Sequence, residues 1–139
     1  MPFFMRFFDT SQQGLELEEL RPIFTQPAKL SVEGDLHLND IPIAMISIED
    51  KGDSLFEEDI EEFQELLEDE PSAVAREVEI ILDKCQRIVV VQLFTSQGSL
   101  EDSLQRIDLL WNHLTASRTG LVQVDGEGFY NSERLILDL

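Results

Sequence analysis

Arg87-Ile-Val-Val-Val-Gln-Leu-Phe94 is the most apolar, β-branched run in the chain. It is bounded by Cys85-Gln86 and by Thr95-Ser96-Gln97-Gly98, and helical periodicity lies on both sides, so it reads as a buried central strand. On its amino side, Ser54 and Glu57 have capping-box spacing. Phe56, Ile60, Phe63 and Leu67 then form one apolar stripe. Glu70-Pro71 ends that helix and is expected to start another with proline in its first position, carrying Val74, Val78, Ile81 and Cys85. On the carboxyl side, Ser99 and Asp102 repeat the capping pattern. Leu100, Leu104, Ile107, Trp111 and Leu114 mark a long helix ending at Arg118-Thr119-Gly120, with Gly120 a natural C′ residue.

Further out, residues 43–48 and 121–124 read as strands, Asp125-Gly-Glu-Gly128 as a turn and Arg134–Leu139 as a last strand. Residues 3–8 suit either a strand buried on both faces or an apolar helical turn. Leu15–Leu20 suits a short helix that stops before Pro22, and Lys29–Leu38 a hairpin or bulged strand across Gly34-Asp35. Strands joined through helices are usually parallel. The expectation is therefore a single α/β domain over residues 1–139, with α+β as the alternative class. Its mixed β-sheet would hold about three parallel strands (43–48, 87–94, 121–124), antiparallel edge strands and three main helices.

The 139 residues suffice for one core without staples. The single Cys85 fits a reducing compartment, and no apolar run approaches membrane-spanning length. The opening apolar run stops at Asp9, too soon for a secretory h-region, so a cytoplasmic location is expected. The net charge of −19 argues against nucleic acid and anionic membrane as partners. It is also uneven: residues 1–70 carry 19 acids and 4 bases, residues 71–139 carry 10 and 6.

Two clusters follow from the charges. Glu57, Glu58, Glu61, Glu62, Glu65, Glu68 and Asp69 sit on one helix, many at i, i+4, where each like-charge pair costs about 0.2–0.5 kcal/mol. Such a helix either keeps the protein soluble or meets a basic protein partner. Asp50, Asp53, Asp125 and Glu127 lie in loops that parallel strands would bring to one edge, where they would offer oxygen ligands to Mg²⁺ or Ca²⁺. Turn residues explain the same positions without a metal. His37 and His113 lack metal-ligand spacing, Cys85 reads as a small core residue, and Ser96, Ser99 and Ser103 lack a nucleophile-elbow context. Phe129-Tyr130 reads as closure over a hairpin or as a pocket lining.

No cofactor signature is present. The functional expectation is a binding or regulatory module for a basic protein rather than an enzyme. A small-ligand- or divalent-metal-binding protein or enzyme that uses loops 49–54, 95–99 and 125–128 is the first alternative. A homo-oligomer formed through Phe3–Phe8 or an open sheet edge is the second.

Overall fold

The structure, a computed structural model, describes residues 3–94 and 100–139. Its strands are β1 (Phe3–Asp9), β2 (Ala28–Leu30), β3 (Asp35–Leu38), β4 (Ile41–Asp50), β5 (Arg87–Leu93), β6 (Gly120–Val124), β7 (Gly128–Asn131) and β8 (Arg134–Asp138). The helices are a 3-10 helix (Leu17–Ile23), α1 (Ser54–Glu68), α2 (Ala73–Asp83) and α3 (Leu100–Ser117). All eight strands join one sheet in the order β2-β3-β4-β5-β1-β6-β7-β8.

Every pairing is antiparallel, which overturns the expected group of three parallel strands. The cause lies in the connections. A single helix carries a chain to the far end of a sheet, whereas two antiparallel helices bring it back. Here α1 and α2 form such a hairpin, joined across by Gln64 Nε2 donating to Asp83 Oδ1 at 2.7 Å. β5 therefore starts beside the end of β4, with Asp50 opposite Arg87. β5 and β6, joined by α3 alone, do run the same way. They never touch, because β1 lies between them, antiparallel to both.

Phe3–Phe8 is thus a central strand and part of the core. Alternation sends its side chains to opposite faces. Met5 and Phe7 join Val89, Val91, Val122 and Val124 under α3 and the 3-10 helix, and Phe8 joins Ile88, Val90 and Leu121 under α1 and α2. The expected stripe of α1 is the observed one: Phe56, Ile60, Phe63 and Leu67 are buried. Each such side chain contributes about 1.5–3 kcal/mol of burial. Phe63 packs edge-on against Phe8 and Phe129, with ring centroids 5.4 and 5.8 Å apart.

Several local expectations need correction. Asp53 rather than Ser54 is the N-cap of α1, and Glu57 Oε1 accepts from Gly52 N, so the expected capping box does not form. Helix α2 starts at Ala73, capped by Ser72 accepting from Ala75 N, and Pro71 precedes it. Its buried set is Ala75, Val78 and Leu82, followed by buried Cys85. Val78 and Cys85 thus stand as expected, while Val74 and Ile81 are only partly buried and their neighbours Ala75 and Leu82 take the core positions. Gly120 opens β6 instead of capping α3. A Cβ there would lie 2.0 Å from the Phe8 carbonyl oxygen, so the close approach of β1 and β6 demands glycine. The 3-10 helix runs through Pro22 rather than stopping before it. The expected cap at Ser99 lies outside the described residues.

Candidate functional site

The antiparallel sheet separates the loops that were expected to converge. Asp50, Arg87, Asp9 and Gly120 share one end of neighbouring strands, while Leu93 and Val124 mark the other. Asp50 and Asp53 therefore sit at the opposite end from Asp125 and Glu127, and loop 95–99 lies outside the described residues. Each of the four carboxylates has a local partner. Asp53 Oδ2 accepts from Asp50 N at 3.3 Å, Asp50 faces Arg87 at 3.9 Å, Asp125 accepts from Arg6, and Glu127 accepts from the Tyr130 hydroxyl. Among the described residues no three His, Cys, Asp or Glu side chains are grouped so as to hold a metal ion.

The acidic set does stay together. Glu57, Glu58, Glu61, Glu62, Glu65 and Glu68 are all exposed on α1, on the arc left free by its buried stripe, and Asp69 is exposed as its C-cap. Among the described residues none of the seven forms an ion pair with Lys or Arg. Leu55 and Leu66 are exposed beside them. The flank of α1 that carries Asp59 leans towards β1 and β4, where Asp59 lies 4.0 Å from Arg6 Nε. Eight strands about 4.8 Å apart make a sheet roughly 35 Å wide, and two helices about 10 Å in diameter cover about half of it. On this side of the sheet Lys29 and Ser47 accordingly remain exposed.

A polar cluster lies under that flank. Arg6, in the middle of an otherwise apolar strand, donates from Nη1 to Gln123 Oε1 at 2.8 Å and to Asp125 Oδ1 at 3.1 Å. Its guanidinium sits 5.3 Å from the Phe4 ring centre and 5.1 Å from that of Phe63, within cation–π range. Arg6 Nε is buried without a hydrogen bond, and so is Glu49 Oε1. Two ionised carboxylates cannot hydrogen-bond each other, so Glu49 and Asp59 come together only with a proton shared between them. Burial first, then the hydrogen bond with Asp59 and its negative charge, push the Glu49 carboxyl up to about 8, with Arg6 opposing.

A second polar knot pins the loop after β1. Fully buried Asp9 accepts from Arg87 Nη1 at 2.7 Å and Arg118 Nη1 at 2.6 Å. These arginines also donate to the carbonyls of Ser11, Gln13 and Gly14. The arrangement ties two strands, β1 and β5, to the loop after β1 and to the segment that follows α3, a structural role. The sequence carried a signal for both knots: an Arg and an Asp inside a strand buried on both faces must find partners.

On the other face of the sheet, a groove of about 580 Å³ opens between α3 and strands β1, β6 and β7. Phe3, Met5, Leu104, Trp111, Val122 and Val124 make it apolar, and Asp108, Glu127 and Glu133 stand at its rim. Tyr130 also lines the groove, while its neighbour Phe129 is fully buried among Phe8 and Phe63, so the pair divides between the two expected roles. The sequence pattern offers no strand at β7, and Tyr130 is the one lining residue it points to.

The remaining candidates are unremarkable chemically. Cys85 is buried and donates its thiol to the Arg87 carbonyl at 3.0 Å, and burial pushes that thiol up to about 12. His113 is exposed, and half-buried His37 faces Lys29 across the β2–β3 ladder. Ser103 is buried within α3. No described helix is long and apolar enough to cross a membrane. Compared with known proteins, the chain matches no family model, no curated protein and no solved structure.

Proposed function

We propose that this protein is a non-enzymatic binding module that receives a basic protein partner on α1. The observation that carries the proposal is the state of the seven carboxylates from Glu57 to Asp69, all exposed and none in an ion pair among the described residues. Their mutual repulsion is left uncompensated on the surface, and a cationic partner would relieve it. A concentrated negative potential also speeds encounter with such a partner and rejects acidic ones. Leu55 and Leu66, exposed within the same surface, would supply apolar contact once the charges have brought the partner in.

The test compares the native chain with a variant carrying Gln at positions 58, 61, 62 and 65, each used to capture proteins from the native host's lysate. The expected result is a stoichiometric basic protein held at about 0.1 M salt, depleted at about 0.5 M and absent with the variant. A variant that captures the same protein equally well removes the role assigned to α1.

A further inference from the structure

We propose that the groove between α3 and strands β1, β6 and β7 is a second binding site, one that takes a small amphiphilic cation: a protonated amine or guanidinium on an apolar body. It lies on the face of the sheet opposite α1 and does not depend on the partner proposed for that helix.

The volume is that of a small-molecule site. Ligand pockets run from about 300 to about 1,000 Å³, and this groove holds about 580 Å³. The floor specifies the body of the ligand. Met5, Val122 and Val124 are inward-facing strand residues belonging to the core beneath α3, and Phe3, Leu104 and Tyr130 pack against that core. A polar ligand would gain nothing there, whereas an aromatic or branched aliphatic body would displace water from apolar surface.

The rim specifies the charge. Asp108 projects from α3, Glu127 from the β6–β7 turn and Glu133 from the turn before β8. No Lys, Arg or His lines the groove among the described residues. Tyr130 donates its hydroxyl to Glu127. Asp108 stands largely in solvent, yet partial desolvation at the rim and the charge of Glu133 both raise its carboxyl above the usual range. A cation seated between Asp108 and Glu133 would reverse the second effect. An anionic amphiphile of the same shape would meet three like charges, so fatty-acid-like ligands are excluded by the same rim.

Trp111 makes the site directly observable. It is the only tryptophan in the chain, it lines the groove, and its buried indole N–H has no acceptor. The probes are 4-phenylbutylamine, 4-phenylbutanol and 4-phenylbutyrate, which share one body and differ in charge, titrated against the full chain and read by Trp111 fluorescence. The expected result is saturable binding of the amine, weaker binding of the alcohol, and affinity for the carboxylate at least about tenfold below that of the amine.

Asp108→Asn should weaken the amine about threefold, as befits an exposed ion pair, and leave the alcohol unchanged. Asn112→Lys, one turn further along α3, should place a resident cation at the rim and abolish the preference for the amine. The variant with Gln at positions 58, 61, 62 and 65 should bind the amine as the native chain does, which separates this site from α1. Equal affinity for all three probes, no saturable binding, or an Asp108→Asn variant that keeps the full preference would each overturn the proposal.

Discussion

Glu49→Gln should remove a loss of stability that the native protein suffers between about pH 6 and about pH 9. The Glu49 carboxyl titrates near 8 in the folded chain against 4.5 for a free one. A pKa raised by folding means that the stability tied to the proton is fully present below about 4.5 and is lost as pH rises through about 8. The gap of about 3.5 units would be worth about 5 kcal/mol in an insulated site. Only about half of it falls above pH 6. Glu49 is half-buried and the Asp59 side chain is 20% exposed, so water screens the pair and reduces the effect to roughly 1 kcal/mol.

Glutamine carries the equivalent of the donated proton permanently and can still donate to Asp59. The variant's advantage over the native protein should grow by roughly 1 kcal/mol between about pH 6 and about pH 9, or by about 3–5 °C in Tm. Urea unfolding followed by Trp111 fluorescence reads both values. Native stability that is flat across this interval, or a Glu49→Gln variant with the same decline, would refute the shared proton.

Asp9→Asn should cost about 3–5 kcal/mol, because Arg87 and Arg118 would be left with buried charge and no counter-ion; a loss below about 1 kcal/mol in denaturant unfolding would contradict that account. Phe63→Ala should cost about 3–5 kcal/mol through the cavity opened between Phe8 and Phe129. Leu55→Ala on the exposed flank of the same helix should stay within about 0.5 kcal/mol, and thermal melts of the pair test the assigned faces of α1. Cys85 should resist a thiol-reactive aromatic disulfide in the native state at mildly alkaline pH and react at once in denaturant. Rapid native labelling would show that the thiol is neither sealed nor raised.

Elements that own their periodicity were legible in the sequence. The stripe Phe56–Leu67, the strand at Arg87–Leu93 and the helix ending near Ser117 all follow from local spacing. Strand direction was not legible, because it depends on whether α1 and α2 count as one crossover or as a hairpin that returns. Nor was the place of β1, whose residues Phe3–Phe8 alternate equally well for an edge or a centre. The error in direction carried straight into the site. Asp50 and Asp53 were joined to Asp125 and Glu127 only by assuming parallel strands, and the real order puts them at opposite ends. The seven acids of α1 needed no such assumption, since one helix face suffices to hold them together. The α3 groove required β7, a four-residue strand too short to announce itself beside Gly128.

The position of β1 also shapes how the chain reaches this state. Its partners are residues 87–93 on one side and 120–124 on the other, so the Asp9–Arg87 bond spans 78 positions and the Arg6–Asp125 bond spans 119. A ribosome emits Phe3-Phe4-Met5-Arg6-Phe7-Phe8 more than a hundred residues before the last of its neighbours, Gly120–Val124. Loop closure over such distances slows folding, and a phenylalanine-rich strand with both ladders vacant invites association with other nascent chains. Arg6 and Asp9 then act as gatekeepers in the unfinished chain, keeping charge in a segment that would otherwise be wholly apolar until β5 and β6 arrive.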